Sequence, residues 1–384
     1  MLRTPYYIFD EAVLKARADT LRSLLPKGAG LVFAVKANPF LAKWAAEITD
    51  RLELCSPGEV FLCEDAGIGP EKFVVSGVWK EEGFIDGLLS RGGEKATYTV
   101  ESPAQFELLK TLAEKHGVTL SLLFRLSSGN QFGMDEDTLV PLALACEACE
   151  NLRFEGVQFY SGTQKFSLKK IGREVEKLFG LVKKLEDLGL KVPEVEYGPG
   201  FPVTYFEGES FDEPAYFGEL CDLLAATGYE GKLTFETGRG LAAACGDYVT
   251  AVQDIKHTDG ASYLVTDGGI HQLAYYGQMM AMKRPFVDVL PSSPEPDGGE
   301  GREYTVVGAL CTVNDVLFKG LYLKNANRCD RIIFHRTGAY CVTEGIALFL
   351  TRDLPRVYLK NADGSVEEAR GKIETESLNA PRRP

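Results

Sequence analysis

Gly30-Leu31-Val32-Phe33-Ala34-Val35-Lys36-Ala37-Asn38-Pro39 is an apolar run of strand length that ends on a lysine and is stopped by a proline. A run this short, bounded by turn residues, predicts a strand buried on both faces, the habit of parallel sheets. Comparable runs recur at residues 51–55, 73–77, 96–100, 120–126, 154–159, 193–197 and 233–236. Between them, stretches such as 57–66, 103–116 and 166–188 repeat apolar residues at i, i+3 and i+4, with charges on the opposite face. Eight strands alternating with helices predict an α/β fold, a closed (β/α)8 barrel of the TIM type over residues 11–245. An open doubly wound sheet is the alternative, but its Gly-x-Gly-x-x-Gly after the first strand is missing.

Beyond residue 245 the pattern changes to strands with few helices between them, at 248–255, 261–267, 305–311, 331–334 and 356–359. Asp363-Gly364 is a hairpin signal that joins 357–360 to 366–369. Residues 291–302, rich in Pro, Gly, Ser and Glu, read as a mobile surface loop. The expectation is a second, C-terminal β domain over residues 246–384.

The formal net charge of −13 over 384 residues argues against nucleic acid or an anionic membrane as partner, since both need a basic face. The N-terminus is too polar for a signal peptide, and no stretch approaches the ~20 apolar residues of a membrane span, so the expected location is the cytoplasm. Nine cysteines, an odd number without regular spacing, read as reduced thiols. Cys146 and Cys149 form a CxxC inside a helical-looking run, 137–151, with no second pair and no histidine nearby. They read as small residues on a helix face. The four histidines are not at metal-ligand spacing, so no metal site is expected.

Active sites of such barrels gather at the C-terminal ends of the strands. A lysine is ordinarily a solvated surface group, but the run before Lys36 aims it into a cleft, where desolvation frees the amine for Schiff-base chemistry. Gly198-Pro199-Gly200 offers a close-approach turn of the kind that receives a phosphate, although plain turns look the same. Glu236, in Phe235-Glu236-Thr237-Gly238-Arg239, reads either as a structural carboxylate or as the partner of a pyridine nitrogen. A lysine, a phosphate turn and a carboxylate are the groups that a pyridoxal 5'-phosphate (PLP) enzyme requires.

In order along the chain, residues 33–39, 55–59, 161–164, 196–202, 236–239, 308–315 and 338–340 resemble the signature blocks of the fold-type-III PLP decarboxylases. That family includes the diaminopimelate, ornithine and arginine decarboxylases, built on an alanine-racemase-like barrel with a β domain. The resemblance runs from about Thr4 to about Arg356, and it alone implies that residues 1–10 join the β domain. It implies PLP-dependent Cα decarboxylation, with Lys36 as the Schiff-base lysine and Glu236 at the pyridine nitrogen. It sets Gly198, Gly200, Arg239 and Tyr340 around the phosphate, with Tyr160 and Thr163 also at the cofactor. It further implies a head-to-tail homodimer with shared sites, in which Cys311 reaches the partner subunit and returns a proton to the substrate, a duty it could share with Lys36. On the substrate side it implies Arg125, Thr312, Asp315 and Tyr276. The bland reading of Cys311 is a small buried hydrophobe.

This chain departs from the family pattern in four places. Tyr160 stands where a histidine usually stacks on the cofactor, and Pro199 has no N–H to give the phosphate. Thr312 follows the cysteine where the family has an acid, and Ala274-Tyr275-Tyr276 stands where diaminopimelate decarboxylases carry an arginine. Tyr160, Thr163-Gln164, residues 131–135 and Cys311-Thr312 look closer to decarboxylases that act on glutamate tethered to a carrier protein. Two other readings stay open on the same residues. A racemase on this fold would pair the pyridine nitrogen with arginine, and a non-catalytic PLP-binding barrel would lack the β domain.

Overall fold

The computed structural model describes residues 2–278, 281–293 and 301–381. The chain divides into two compact units. One comprises Ala18–Val203 and Phe211–Leu241; the other comprises Met1–Arg17, Thr204–Ser210 and Ala242–Pro384.

The strand β1 (Tyr6–Asp10) belongs to the second unit and is followed by the eight barrel strands of the first. These are β2 (Gly30–Ala34), β3 (Arg51–Leu54), β4 (Phe73–Val75), β5 (Thr97–Val100), β6 (Leu120–Leu126), β7 (Leu152–Tyr160), β8 (Glu194–Gly198) and β9 (Lys232–Thr237). They pair in sequence order, all parallel, and β9 returns to β2 with Thr234 opposite Gly30 and Glu236 opposite Val32. The expected TIM-type barrel is therefore closed. The helix Leu168–Asp187 covers part of it through Ile171, Val175, Leu178, Val182 and Leu185, a 4-3-4-3 spacing that lines one face.

Two crossings from strand to helix use one device. In Cys55-Ser56-Pro57-Gly58-Glu59, Ser56 caps the helix at Glu59 N (3.2 Å) and the Glu59 carboxylate accepts from Cys55 N (2.6 Å). In Glu101-Ser102-Pro103-Ala104-Gln105, Ser102 caps Gln105 N and Gln105 accepts from Glu101 N (3.0 Å). Proline at the first helical position already has the required φ and lacks a donor that would go unused. The devices pin Cys55 and Glu101 at the strand ends.

Side chains alternate along a barrel strand, so every second residue faces the interior. Val32, Val74 and Leu123 form a buried apolar cluster there. Arg51 adds a buried ionic group with Glu194 and, at 2.9 Å, Glu196. One alternation nearer the C-terminal ends stand Glu53 and Glu236. The run expected as a strand through Lys36 ends at Ala34. Lys36 lies in a single 3-10 turn, Val35–Ala37, because Asn38, preceding Pro39, must be extended (φ −167°, ψ 101°) and cannot continue a helix.

The second unit is a nine-stranded sheet with central order β14-β13-β11-β10-β1-β16-β17. Its strands are β10 (Gly246–Thr258), β11 (Ala261–Thr266), β12 (Val287–Leu290), β13 (Arg302–Val307), β14 (Val316–Leu323), β15 (Arg331–Phe334), β16 (Arg356–Lys360) and β17 (Val366–Arg370). β1 runs antiparallel to β10 and parallel to β16. The hairpin at Asp363-Gly364 joins β16 to β17, with Gly364 at φ +86°. Residues 204–210 join this unit through the bridge from Phe206 to Pro285 and the bond from Glu207 N to Arg284 O (2.9 Å).

The helix expected over 137–151 runs Glu136–Glu147; Cys146 is buried in it, and Cys149 lies beyond its end with its thiol donating to Ala145 O. No group of three metal-ligating side chains occurs among the described residues, and no helix among them is long and apolar enough to cross a membrane. Of the loop expected at 291–302, residues 294–300 lie outside the described residues.

Candidate active site

At the C-terminal mouth of the barrel, the Lys36 ammonium forms an ion pair with Glu53, and its Nζ lies 3.5 Å from Glu236 Oε1 and 3.7 Å from Cys55 Sγ. The two carboxylates are almost wholly buried, whereas the lysine side chain stays 36% exposed, so its amine is reachable from the mouth. Burial pushes the Glu53 carboxyl up, but the Lys36 charge, the hydrogen bonds from Lys36 and Glu236 and the Arg125 charge together outweigh this and hold it well below the usual carboxylate range. Burial and then the Glu53 charge push Glu236 well above that range, against the pull of Lys36. One carboxylate is ionised and its neighbour holds a proton, the outcome expected when like charges share a dry site. Burial also raises the Tyr160 phenol and the Cys55 thiol.

Beside this cluster, β8 ends in Gly198-Pro199-Gly200. A Cβ on Gly198 would stand 2.7 Å from Tyr160 Cδ2, so the glycine lets the Tyr160 ring lie against the backbone. Gly200 has φ +68°, and a Cβ there would overlap the Gly162 carbonyl. Its own carbonyl accepts from Lys165 N (3.1 Å). Gln164 ties the two loops together, accepting from Val203 N (2.7 Å) and donating to Val203 O (2.9 Å). Arg239, buried, donates through Nε to Thr163 Oγ1 (3.3 Å). The result is a backbone cradle without side chains, edged by a guanidinium. These residues fit PLP: a reachable amine, a cradle for a phosphate, an arginine to pair with it, and a carboxyl for the ring nitrogen.

The other cations of the barrel are engaged. Arg125 pairs with Glu101 (3.2 Å) and stacks over the Phe132 ring at 4.9 Å, while Glu101 accepts from Gly133 N. It therefore helps secure the loop after β6, while its buried Nε is left without a hydrogen-bond partner among the described residues. Lys80 is buried and donates to Gly77 O, Thr99 Oγ1 and Gln105 Oε1 (3.1–3.2 Å), with its pKa lowered to about 8 by burial.

The remaining expected site residues belong to the β unit. Cys311 is exposed and Thr312 half-buried in the loop between β13 and β14. Asp315, expected on the substrate side, is 2% exposed, and its oxygens accept from Ile270 N (2.8 Å) and Leu310 N (2.7 Å). Each oxygen thus holds one backbone N–H, and the residue shapes the Cys311 loop. Within Ala274-Tyr275-Tyr276 only Tyr276 is exposed, because Tyr275 is buried with its hydroxyl on His335 O (2.5 Å). Tyr340 adopts φ +68°, uncommon for a residue with a side chain and a mark of local constraint.

Sequence reasoning gave no role to Glu53, Arg51 and Glu196, and placed Glu101 only at a strand end. The available signal was charge at alternate positions of strands otherwise wholly buried, as in Arg51-Leu52-Glu53-Leu54 and Glu194-Val195-Glu196-Tyr197.

A closed parallel barrel with a lysine between buried carboxylates, a glycine turn that fits a phosphate and a β unit on the same chain are the parts of a PLP enzyme of the decarboxylase kind. Residues 11–243 match the family described as "Pyridoxal-dependent decarboxylase, pyridoxal binding domain", and the chain belongs to that family. It is a PLP-dependent amino-acid decarboxylase, a carboxy-lyase; the racemase and non-catalytic readings are not favoured. It is 27% identical to the L-glutamyl-[BtrI acyl-carrier protein] decarboxylase of Niallia circulans, over 96% of this chain and 91% of that protein. It is 25% identical to the diaminopimelate decarboxylase of Aquifex aeolicus, over 88% of this chain and 82% of the relative. The fold is also that of Helicobacter pylori diaminopimelate decarboxylase solved with L-lysine, with TM-score 0.84 and 22% identity, over 98% of this chain and 96% of that one.

Proposed function

We propose that this decarboxylase acts at Cα of an amino-acid unit whose distal end is uncharged and extended, specifically a glutamyl group held by a carrier protein. The observation that carries the proposal is the want of free distal charge. Thr312 replaces the acid after Cys311, Ala274-Tyr275-Tyr276 replaces the arginine, and Arg125 and Lys80 are already bonded within the barrel. A charged distal group would be desolvated without a partner. The similarity to a relative named for a glutamyl carrier-protein substrate supports the same reading.

Bound PLP supplies an electron sink for the pair left at Cα as CO2 departs. In our reading Lys36 holds the cofactor through Nζ, and Gly198, Gly200, Thr163 and Arg239 receive its phosphate, with Tyr340 near it. Glu236, the carboxyl that burial keeps protonated in the free protein, faces the ring nitrogen. Tyr160, its position set by Gly198, would pack against the cofactor. Glu53 keeps Lys36 aimed into the mouth. Cys311 Sγ or Lys36 Nζ returns a proton to Cα. Cys311 would come from a second copy of the chain, in a homodimer with shared sites, and Thr312 and Tyr276 would border the distal group.

The test compares kcat/KM for free diaminopimelate, ornithine, lysine and glutamate with that for amide- or pantetheine-linked glutamate. The linked forms are expected to be favoured. Turnover of free diaminopimelate at the level of ordinary enzymes, ~10⁴ M⁻¹s⁻¹ or more, would overturn the reading.

A further inference from the structure

Four strands of the β unit, β10, β11, β13 and β14, present two unlike faces. Leu264, Tyr304, Val306 and Phe318 are buried on one, while the alternating Tyr263, Val265, Thr305 and Val307 stay half-exposed on the other. Register aligns the second face in rows. Lys256 lies opposite Tyr263 and Tyr263 opposite Thr305, with Lys319 arriving from β14; the next row is Val265, Val307 and Val316, with the exposed Asp254 opposite Val265. Rows two residues apart are separated by roughly 6.6 Å. The loop bearing Cys311 and Thr312 closes the end beyond the valine row, and the whole encloses a groove of about 700 Å³.

The groove has polarity along its length. Its charged lining consists of Lys256, Lys319 and Asp315, and the last is buried with its oxygens on backbone N–H groups. Neither lysine has an ion-pair partner among the described residues. A chain of net charge −13 thus sets two cations at one end of an apolar trough whose other end is Cys311-Thr312.

We propose that this groove binds the phosphopantetheine arm of a carrier protein, with the phosphodiester at Lys256 and Lys319 and the pantetheine chain over Tyr263, Val265 and Val307 toward Thr312. The proposal rests on the reading of a tethered substrate and locates what that substrate needs beyond the reacting amino acid. A phosphodiester calls for compact cations, which lysines supply as point charges. The dimethyl and amide portions of the arm suit a trough of valines and a tyrosine with a threonine hydroxyl.

The probes are 4'-phosphopantetheine and pantetheine without the phosphate, titrated calorimetrically into the PLP-loaded protein at low salt. The phosphorylated arm is expected to bind about twenty-fold more tightly, roughly fivefold for each exposed lysine. The double variant K256E/K319E should bring it to the level of pantetheine, and K256Q/K319Q, a milder change, should act in the same direction. Turnover of amide-linked glutamate without a phosphate should be unchanged in both. Equal binding of the two arms, or binding indifferent to the lysines, overturns the groove. If linked glutamate is nevertheless decarboxylated efficiently, the tethered-substrate reading survives that failure. If it is not decarboxylated but the lysines still govern phosphopantetheine binding, the groove stands and the substrate reading falls. Dissociation of subunits in the double variant, seen by sedimentation, would mark the face as a subunit surface and overturn the proposal.

Discussion

Replacing Glu196 by glutamine changes how the stability of the barrel depends on pH. Glu196 is fully buried on β8, two residues before the phosphate cradle. It accepts from Arg51 (2.9 Å) and Gln158 Nε2 (2.7 Å). Burial nevertheless raises its pKa from 4.5 to about 7, with Arg51 opposing and Glu194 adding to the rise. Between these values the folded protein keeps a proton that the unfolded chain releases, so this residue's contribution to stability falls as pH rises. At about 1.36 kcal/mol per pH unit the full interval amounts to roughly 3 kcal/mol, of which a minor part is incurred at pH 5 and nearly all at pH 8. The substituted glutamine cannot ionise. Its amide must turn N–H toward one of two donors, a mismatch of about 1–3 kcal/mol that is the same at both pH values. The stability of Glu196→Gln relative to the parent should therefore improve by roughly 2–3 kcal/mol from pH 5 to pH 8. Both tryptophans, Trp44 and Trp79, lie in the barrel unit, so urea unfolding followed by fluorescence reports on it. A difference independent of pH, or one that shrinks toward pH 8, would refute the reasoning.

Lys36→Ala should lose the visible absorbance of lysine-linked PLP, and borohydride reduction of the parent should leave the label on the Lys36 peptide; recovery on another lysine refutes the assignment. Gly200→Ala must hold alanine at φ +68° and push back the Gly162 carbonyl. The backbone term alone is about 1–2 kcal/mol, so PLP affinity, read by titration of absorbance, should fall at least about tenfold with the circular dichroism spectrum retained. Mixing inactive Lys36→Ala and Cys311→Ala subunits should restore part of the activity; a mixture that forms hybrid dimers yet stays inactive would argue against a shared site.

Patterning carried the barrel because each strand is buried on both faces and each helix on one, and these environments write short continuous apolar runs and a period of 3.6 into the sequence. The Ser-Pro pairs at 56–57 and 102–103 were equally open to reading, since a cap acts within four residues. Lys36 was identifiable as a candidate from its neighbours alone. Its turn, Val35–Ala37, was drawn as strand because an apolar run does not reveal where the backbone stops being extended. Asp315 and Arg125 were assigned to the substrate on chemical type; whether their polar atoms are free depends on Ile270, Leu310, Glu101 and Phe132.

The sequence by itself determined the order of elements, the change from barrel to β domain near residue 245, and the residue types needed for PLP. It could not say that Glu53, Lys36 and Glu236 meet, because Lys36 and Glu236 are 200 residues apart and touch through the closure of β9 onto β2. Nor could it say which of the two carboxyls keeps its proton. That choice follows from distance and burial in a dry interior, where the strength of a charge depends on the groups that face it in space.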